Sequence, residues 1–156
     1  MTESNPSISE RKKGLRQKML AMRRALSANE TESRSSSLKE NILSLPEYKN
    51  AKKIMAFLAM KGESNLDGFI RQALLDGKEV YIPVCLPERQ MEAGRLIDME
   101  HFEKGPLGLR NLPAGYEVTS PESLDLVLIP GLAVSQEGIR LGMGAGYYDR
   151  YLARVP

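Results

Sequence analysis

The chain has 156 residues, 42% of them apolar, and a formal net charge of +2. That size favours one domain with a core of its own and makes a second unlikely. A nearly balanced charge gives no bulk attraction to nucleic acid or membrane, and no apolar run approaches the length of a bilayer span. Cys85 is the only cysteine, so no internal disulfide can form and a reducing, cytoplasmic setting is expected. The opening MTESNPSISERKK carries Glu3 and Glu10 and no apolar run after its basic cluster. It does not read as a secretory signal, and its two acids argue against a transit peptide.

Leu15, Met19, Met22 and Leu26 follow one another at spacings of four, three and four, which predicts an amphipathic helix over about 9–26. Seven lysines and arginines stand against one acid between Glu10 and Leu26, and Lys12, Arg16 and Arg23 fall in a narrow sector beside the apolar stripe. Cations at such a boundary either reach into water or lie over the edge of a neighbouring cleft. The stretch SANE, Ser27 to Glu30, is a capping-box pattern that starts a second helix, stopped near Leu45 by Pro46. KIMAFLAM, Lys53 to Met60, suits a buried strand. Leu66, Phe69, Ile70, Ala73 and Leu74 then recur at helical spacing, with Gly77 placed for a left-handed C-cap. EVYIPV, Glu79 to Val84, is again strand-like. Residues 86–121 are rich in proline, glycine and charge, with one short strand expected at RLIDME, Arg95 to Glu100. LDLVLIPG, Leu124 to Gly131, reads as a strand ending at Pro-Gly, and YYDRYLAR as the start of a last helix. Strands alternating with helices predict an α/β fold: a three-layer αβα sandwich around a mostly parallel, open, Rossmann-like sheet. Ligands of such folds bind beyond the carboxyl ends of the strands.

Gly142, Gly144 and Gly146 make a G-x-G-x-G pattern beyond the last predicted strand. It is neither a Walker loop nor a dinucleotide fingerprint. The physics common to both still applies, because glycines let main-chain N–H groups meet an anion with no Cβ in the way. A helix starting near Tyr147 adds its positive end, and Arg140 adds a cation able to grip phosphate in a bidentate way. The plainer alternative is a bulged turn joining strand to helix. Asp149 lies in the first turn of that helix, where the dipole favours a carboxylate, and beside phosphates it could hold magnesium. Glu63 sits just past the first strand and either caps the next loop or binds amide and amine groups. His101, the only histidine, lies next to Glu100 and Glu103 and reads as a surface residue. No His/Cys cluster suggests zinc.

LIPGLAVSQEGIRLGMGAGYYDRYL resembles the signature of the 5-formyltetrahydrofolate cyclo-ligase family, an apolar strand with Pro-Gly followed by G-x-RLG-x-G-x-GYYDR-x-L. KKGLRQKML, FLAMKGES and GKEVYIP extend the likeness along most of the chain, with residues 86–120 the weakest part. The resemblance implies ATP- and magnesium-dependent closure of 5-formyltetrahydrofolate to 5,10-methenyltetrahydrofolate, releasing ADP and phosphate. It implies that the formyl oxygen attacks the γ-phosphate before nitrogen ten closes the ring. It also implies one cyclo-ligase-like domain over 1–156. Lys12 and Arg16 match the family's phosphate-contacting basic pair. Arg140, Leu141, Gly142, Met143, Gly144, Ala145, Gly146, Tyr147 and Tyr148 match its ATP loop, with Met143 to Tyr147 also facing the folate. Leu58 and Glu63 match folate contacts, Asp149 matches a magnesium ligand, and Arg140 and Tyr147 are the candidate catalytic residues.

Two departures bear on these expectations. Members of the family usually carry arginine where this chain has Met143, and often lysine or glycine where it has Ala145. They also continue past the signature with further strand segments, so this chain is expected to lack those and to be either a monomer or a dimer that covers the exposed surface. The partner expected is a small reduced folate, with no membrane. A paralogue that binds nucleotide or folate without turnover is the alternative, and a basic RNA-binding module a more distant one. Replacing Arg140 by alanine is expected to weaken ATP binding far more than the fold.

Overall fold

The computed structural model describes residues 5–156. Two capping boxes begin the chain's first two helices, each with a serine hydroxyl accepting from a glutamate amide three residues on and the glutamate accepting in return. Ser7 and Glu10 start α1 (Ile8–Arg24), and Ser27 and Glu30 start α2 (Ala28–Ser44). Pro46 ends α2 as expected but also opens a short α3 (Pro46–Asn50), since a proline at the first helical position loses no hydrogen bond.

β1 (Lys53–Met55) is the first strand, with α4 (Asp67–Leu75) and β2 (Glu79–Cys85) after it. Gly77 follows α4 in the left-handed region, at φ 78°. β3 is Met91–Leu96, so the strand expected at 95–100 lies earlier; residues 97–100 are outside any strand, and Asp98 there bonds the Glu100 and His101 amides. Two short strands, β4 (Glu103–Lys104) and β5 (Arg110–Asn111), pair with each other. β6 (Val118–Thr119) and β7 (Leu126–Val127) complete the main sheet, whose order is β6-β3-β2-β1-β7. The hairpin β8 (Ala133–Val134) and β9 (Arg140–Leu141) and the helix α5 (Tyr147–Leu152) end the fold.

The α/β architecture is the expected one, and its sheet is mixed. β1 runs parallel to β2 and to β7, while β2–β3 and β3–β6 are antiparallel. Side chains alternate across it as a strand period of two requires. Ile54, Val80 and Ile82 face Ile42, Tyr48, Phe69 and Ile70 from α2, α3 and α4. Met55, Tyr81, Met91 and Ala93 face Tyr151 of α5, with Tyr147 and Tyr148 against the same cluster. That gives the three layers. Phe69, Ile54 and Ile70 are fully buried, and each such side chain contributes about 1.5–3 kcal/mol.

α1 is the exception to its sequence pattern. None of its residues is buried, and Leu15 and Met22 stay 42% and 57% exposed. Among the described residues no helix is long and apolar enough to cross a membrane.

Candidate active site

β1, β2 and β7 run in one direction, so the segments after them emerge at one edge of the sheet. After β1 come residues 56–66, after β2 the turn 86–90, and after β7 the stretch 128–132. Asp125 pins the start of β7 by accepting from the Lys52 and Lys53 amides at 2.8 and 2.9 Å. The Leu128 amide still bonds the Met55 carbonyl at 2.8 Å, and beyond it the chain leaves the sheet. Pro130 and Gly131 are thereby presented to the loop that follows β9.

Arg140 joins those parts. Its Nη1 donates to the Pro130 carbonyl at 2.8 Å and its Nη2 to Asp149 Oδ1 at 3.1 Å, while its guanidinium lies 5.7 Å from the centre of the Tyr148 ring. One planar fork therefore ties the segment after β7 to the first turn of α5. The room for it comes from Gly142, where an added Cβ would lie 2.9 Å from Nη1.

Three further arginines act on loop carbonyls. Arg16 of α1 donates from Nε to the Gly142 carbonyl at 2.9 Å. Arg150 of α5 donates to the Ala145 carbonyl at 3.2 Å, and Arg89 of the 86–90 turn approaches the same oxygen at 3.5 Å. Gly144 and Gly146 have φ of 102° and 79°, the left-handed region that glycine adopts without strain. Gly146 then caps α5. With carbonyls turned to arginines, the amides remain: none from Gly142 to Gly146 donates to a protein acceptor among the described residues. A run of free amides ahead of a helix start, framed by cations, is an anion-binding arrangement.

Around it lie a phenol and a carboxylate. The Tyr148 hydroxyl is pushed well above its ordinary pKa, chiefly by burial and then by the negative charge of Glu63, with Arg140 opposing. It therefore stays a protonated donor. Glu63 is half-buried, and its Oε1 accepts from the Met60 amide at 3.0 Å. A cleft of about 360 Å³ runs between Glu63, Phe57, Leu128, Pro130 and Arg23. A larger one of about 1170 Å³ lies beside it between α1 and α2, and Arg23 lines both. Residues 142–146 line neither; Met143, Gly144 and Ala145 stand exposed. The bend is open, with its tyrosines packed inward.

Residues 8–155 match the model of the 5-formyltetrahydrofolate cyclo-ligase family. The chain belongs to this family. Among similar proteins is a mouse 5-formyltetrahydrofolate cyclo-ligase, 33% identical over 95% of this chain and 76% of its own length. An Escherichia coli K12 protein of the same name is 29% identical over 83% of this chain and 73% of its own. A solved structure of a 5,10-methenyltetrahydrofolate synthetase from Aquifex aeolicus superposes with a TM-score of 0.79. It is 35% identical, covering 92% of this chain and 73% of that one. A synthetase from Mycoplasma pneumoniae, at 23% identity and a TM-score of 0.73, shares the fold.

Of the cyclo-ligase residues expected from the sequence, Arg16, Arg140 to Tyr148 and Asp149 come together around the loop. Lys12 lies one turn before Arg16 on the same face of α1, exposed, with no hydrogen bond or ion pair among the described residues. Leu58 is half-buried against the core. Asp149 is 80% exposed, with one oxygen on Arg140. Among the described residues no group of three or more histidine, cysteine or acidic side chains could hold a metal. This donor set fits magnesium only as such an ion is held beside phosphates, through one or two protein oxygens and water.

Three contributors escape sequence reasoning. Arg150 holds a loop carbonyl, a role that an arginine in a helix does not signal by its type or spacing. Pro130 acts through its carbonyl, which its side chain does not advertise. Arg89 follows β2, and only its place just past a parallel strand could have singled it out.

Proposed function

We propose that the chain is an ATP-dependent ligase that closes 5-formyltetrahydrofolate to 5,10-methenyltetrahydrofolate, with release of ADP and phosphate. What carries the reading is the run of free amides from Gly142 to Gly146 amid four arginines, in a chain that matches the family almost end to end. The formyl oxygen is a poor leaving group until it takes the γ-phosphoryl group. Nitrogen ten of the folate then attacks the formyl carbon and gives its proton to solvent, the carbon–oxygen bond breaks, and the oxygen departs as phosphate. Such steps need placement and charge neutralisation more than side-chain proton transfer. That suits a site whose functional groups are amides, arginines and carboxylates.

In this reading the amides of Met143, Gly144, Ala145 and Gly146 hold the phosphates, and Leu141 and Gly142 set the approach. Lys12, Arg16 and Arg140 neutralise phosphate charge, Arg140 and Tyr147 border the reacting groups, and Tyr148 supports Arg140. Magnesium held by Asp149 supplies further positive charge to the phosphates. Leu58 and Glu63 hold the folate side, where a half-buried carboxylate suits N–H groups of a reduced pterin. Residues 1–156 work as one cyclo-ligase-like domain. The setting is the cytoplasm, in keeping with a single cysteine.

The test is turnover. Purified protein with 5-formyltetrahydrofolate, ATP and magnesium should build up methenyl-folate absorbance, with one ADP per ring closed and no signal when any component is left out. Folate and nucleotide that bind without this signal would make the chain a binding protein.

A further inference from the structure

The turn between β2 and β3 has an unusual backbone for its sequence. The two strands pair over six residues each, from Val80 opposite Leu96 to Cys85 opposite Met91. The Leu86 amide closes the turn on the Gln90 carbonyl at 2.8 Å. Inside it Glu88 and Arg89 both have positive φ, 59° and 57°. Glycine or asparagine relaxes such positions, whereas a long side chain leaves each of them disfavoured. Met91, two residues on, is buried in the second core cluster. The hairpin is thus a rigid arm with a strained tip, and strain held in place by its surroundings points to use.

That tip reaches the loop. Arg89 Nη1 lies 3.5 Å from the Ala145 carbonyl, which also accepts from Arg150 at 3.2 Å. At the other end of the loop Arg16 holds the Gly142 carbonyl. Every peptide described here is trans, and in a trans planar peptide the N–H points opposite to the C=O. Fixing the Ala145 carbonyl therefore fixes the direction of the Gly146 amide, just as fixing Gly142 sets that of Met143. Neither amide has a protein acceptor among the described residues.

We propose that Arg89 is a positioning residue of the loop: its guanidinium, together with that of Arg150, holds the Ala145 carbonyl and so aims the Gly146 amide as a donor to the nucleotide's phosphates. This rests on the function proposed above. Arg89→Ala should raise the KM for ATP about tenfold, the loss of one charge-assisted hydrogen bond, and leave the KM for folate within about twofold. In nucleotide-free protein its ¹⁵N order parameters at Gly144 to Gly146 should fall from about 0.85 to below about 0.6, and Arg89→Lys should restore most of both. Arg89→Gly should relieve the turn, raising the melting temperature while losing the same ATP affinity. Order parameters that stay unchanged in Arg89→Ala would overturn the proposal, including when the KM rises, for Arg89 would then touch phosphate directly. Should the unmutated protein fail to turn over folate, the proposed function falls, while the order parameters still judge Arg89.

Discussion

Replacing Arg140 by alanine removes two contacts of unequal worth. The bond to the Pro130 carbonyl is short and comes from a side chain only 19% exposed. A charge-assisted bond of that kind contributes about 1.5–3 kcal/mol. The pair with Asp149 engages a carboxylate 80% exposed, and solvent screening holds it below about 1 kcal/mol. Together the loss is about 2–4 kcal/mol, which for a chain of this length lowers the melting temperature by roughly 5–15 °C. The sequence alone suggests a variant impaired in ATP binding with its fold nearly untouched; the Pro130 tie makes it impaired in both. ATP affinity should fall about tenfold to a hundredfold, the equivalent of a comparable phosphate contact. Thermal melts and calorimetric ATP titration of the same preparation separate the effects. A melting temperature within about 2 °C of the parent would refute the tie. Unchanged ATP affinity would take Arg140 out of the site.

Asp149→Asn should shift the magnesium requirement of turnover upward at a stability cost under about 1 kcal/mol, read from magnesium titrations and melts; an unaltered requirement would remove the carboxylate from the metal. Met143→Arg, which puts a cation on an exposed loop position, should raise kcat/KM for ATP; no gain would show that the loop's arginines already supply the charge needed. Glu63→Gln should raise the KM for folate and leave that for ATP nearly unchanged in steady-state kinetics. Asp98 is held at about 2 by its bonds to the His101 ring and to the Glu100 and His101 amides, and His101 is raised in turn by Asp98. Asp98's contribution to stability is therefore present above its ordinary 3.8 and fades as pH falls towards about 2. His101's is present below 6.5 and fades as pH rises through its folded value. An NMR titration should find the imidazole above 6.5, and Asp98→Asn should bring it back.

The elements with strong local signals are those legible in the sequence. The Ser27–Glu30 box, the helical spacing around Phe69 and the branched run of β2 each carry their own physics, and each forms as expected. Short strands are less legible, because membership depends on a neighbour. KIMAFLAM is apolar after its lysine, yet only Ile54 and Met55 find ladder partners on both sides. The strand expected at 95–100 begins at Met91 because β2 fixes the register from Cys85. The glycine loop stands out through its spacing. What holds the loop does not, since Arg16, Arg89 and Arg150 bond carbonyls, and a carbonyl looks the same in every residue. The helical stripe of α1 is correctly periodic, but periodicity does not say how much cover awaits it, and Leu15 and Met22 remain exposed.

The claim on which all else stands is that main-chain amides of 143–146 grip the phosphates. It is tested most directly by titrating ¹⁵N-labelled protein with magnesium–ATP and following each backbone amide. Large, saturable downfield shifts at Met143, Gly144, Ala145 and Gly146 are predicted, weakened together in the Arg140 and Arg89 variants. Saturation that leaves those four signals still while others move would contradict the account.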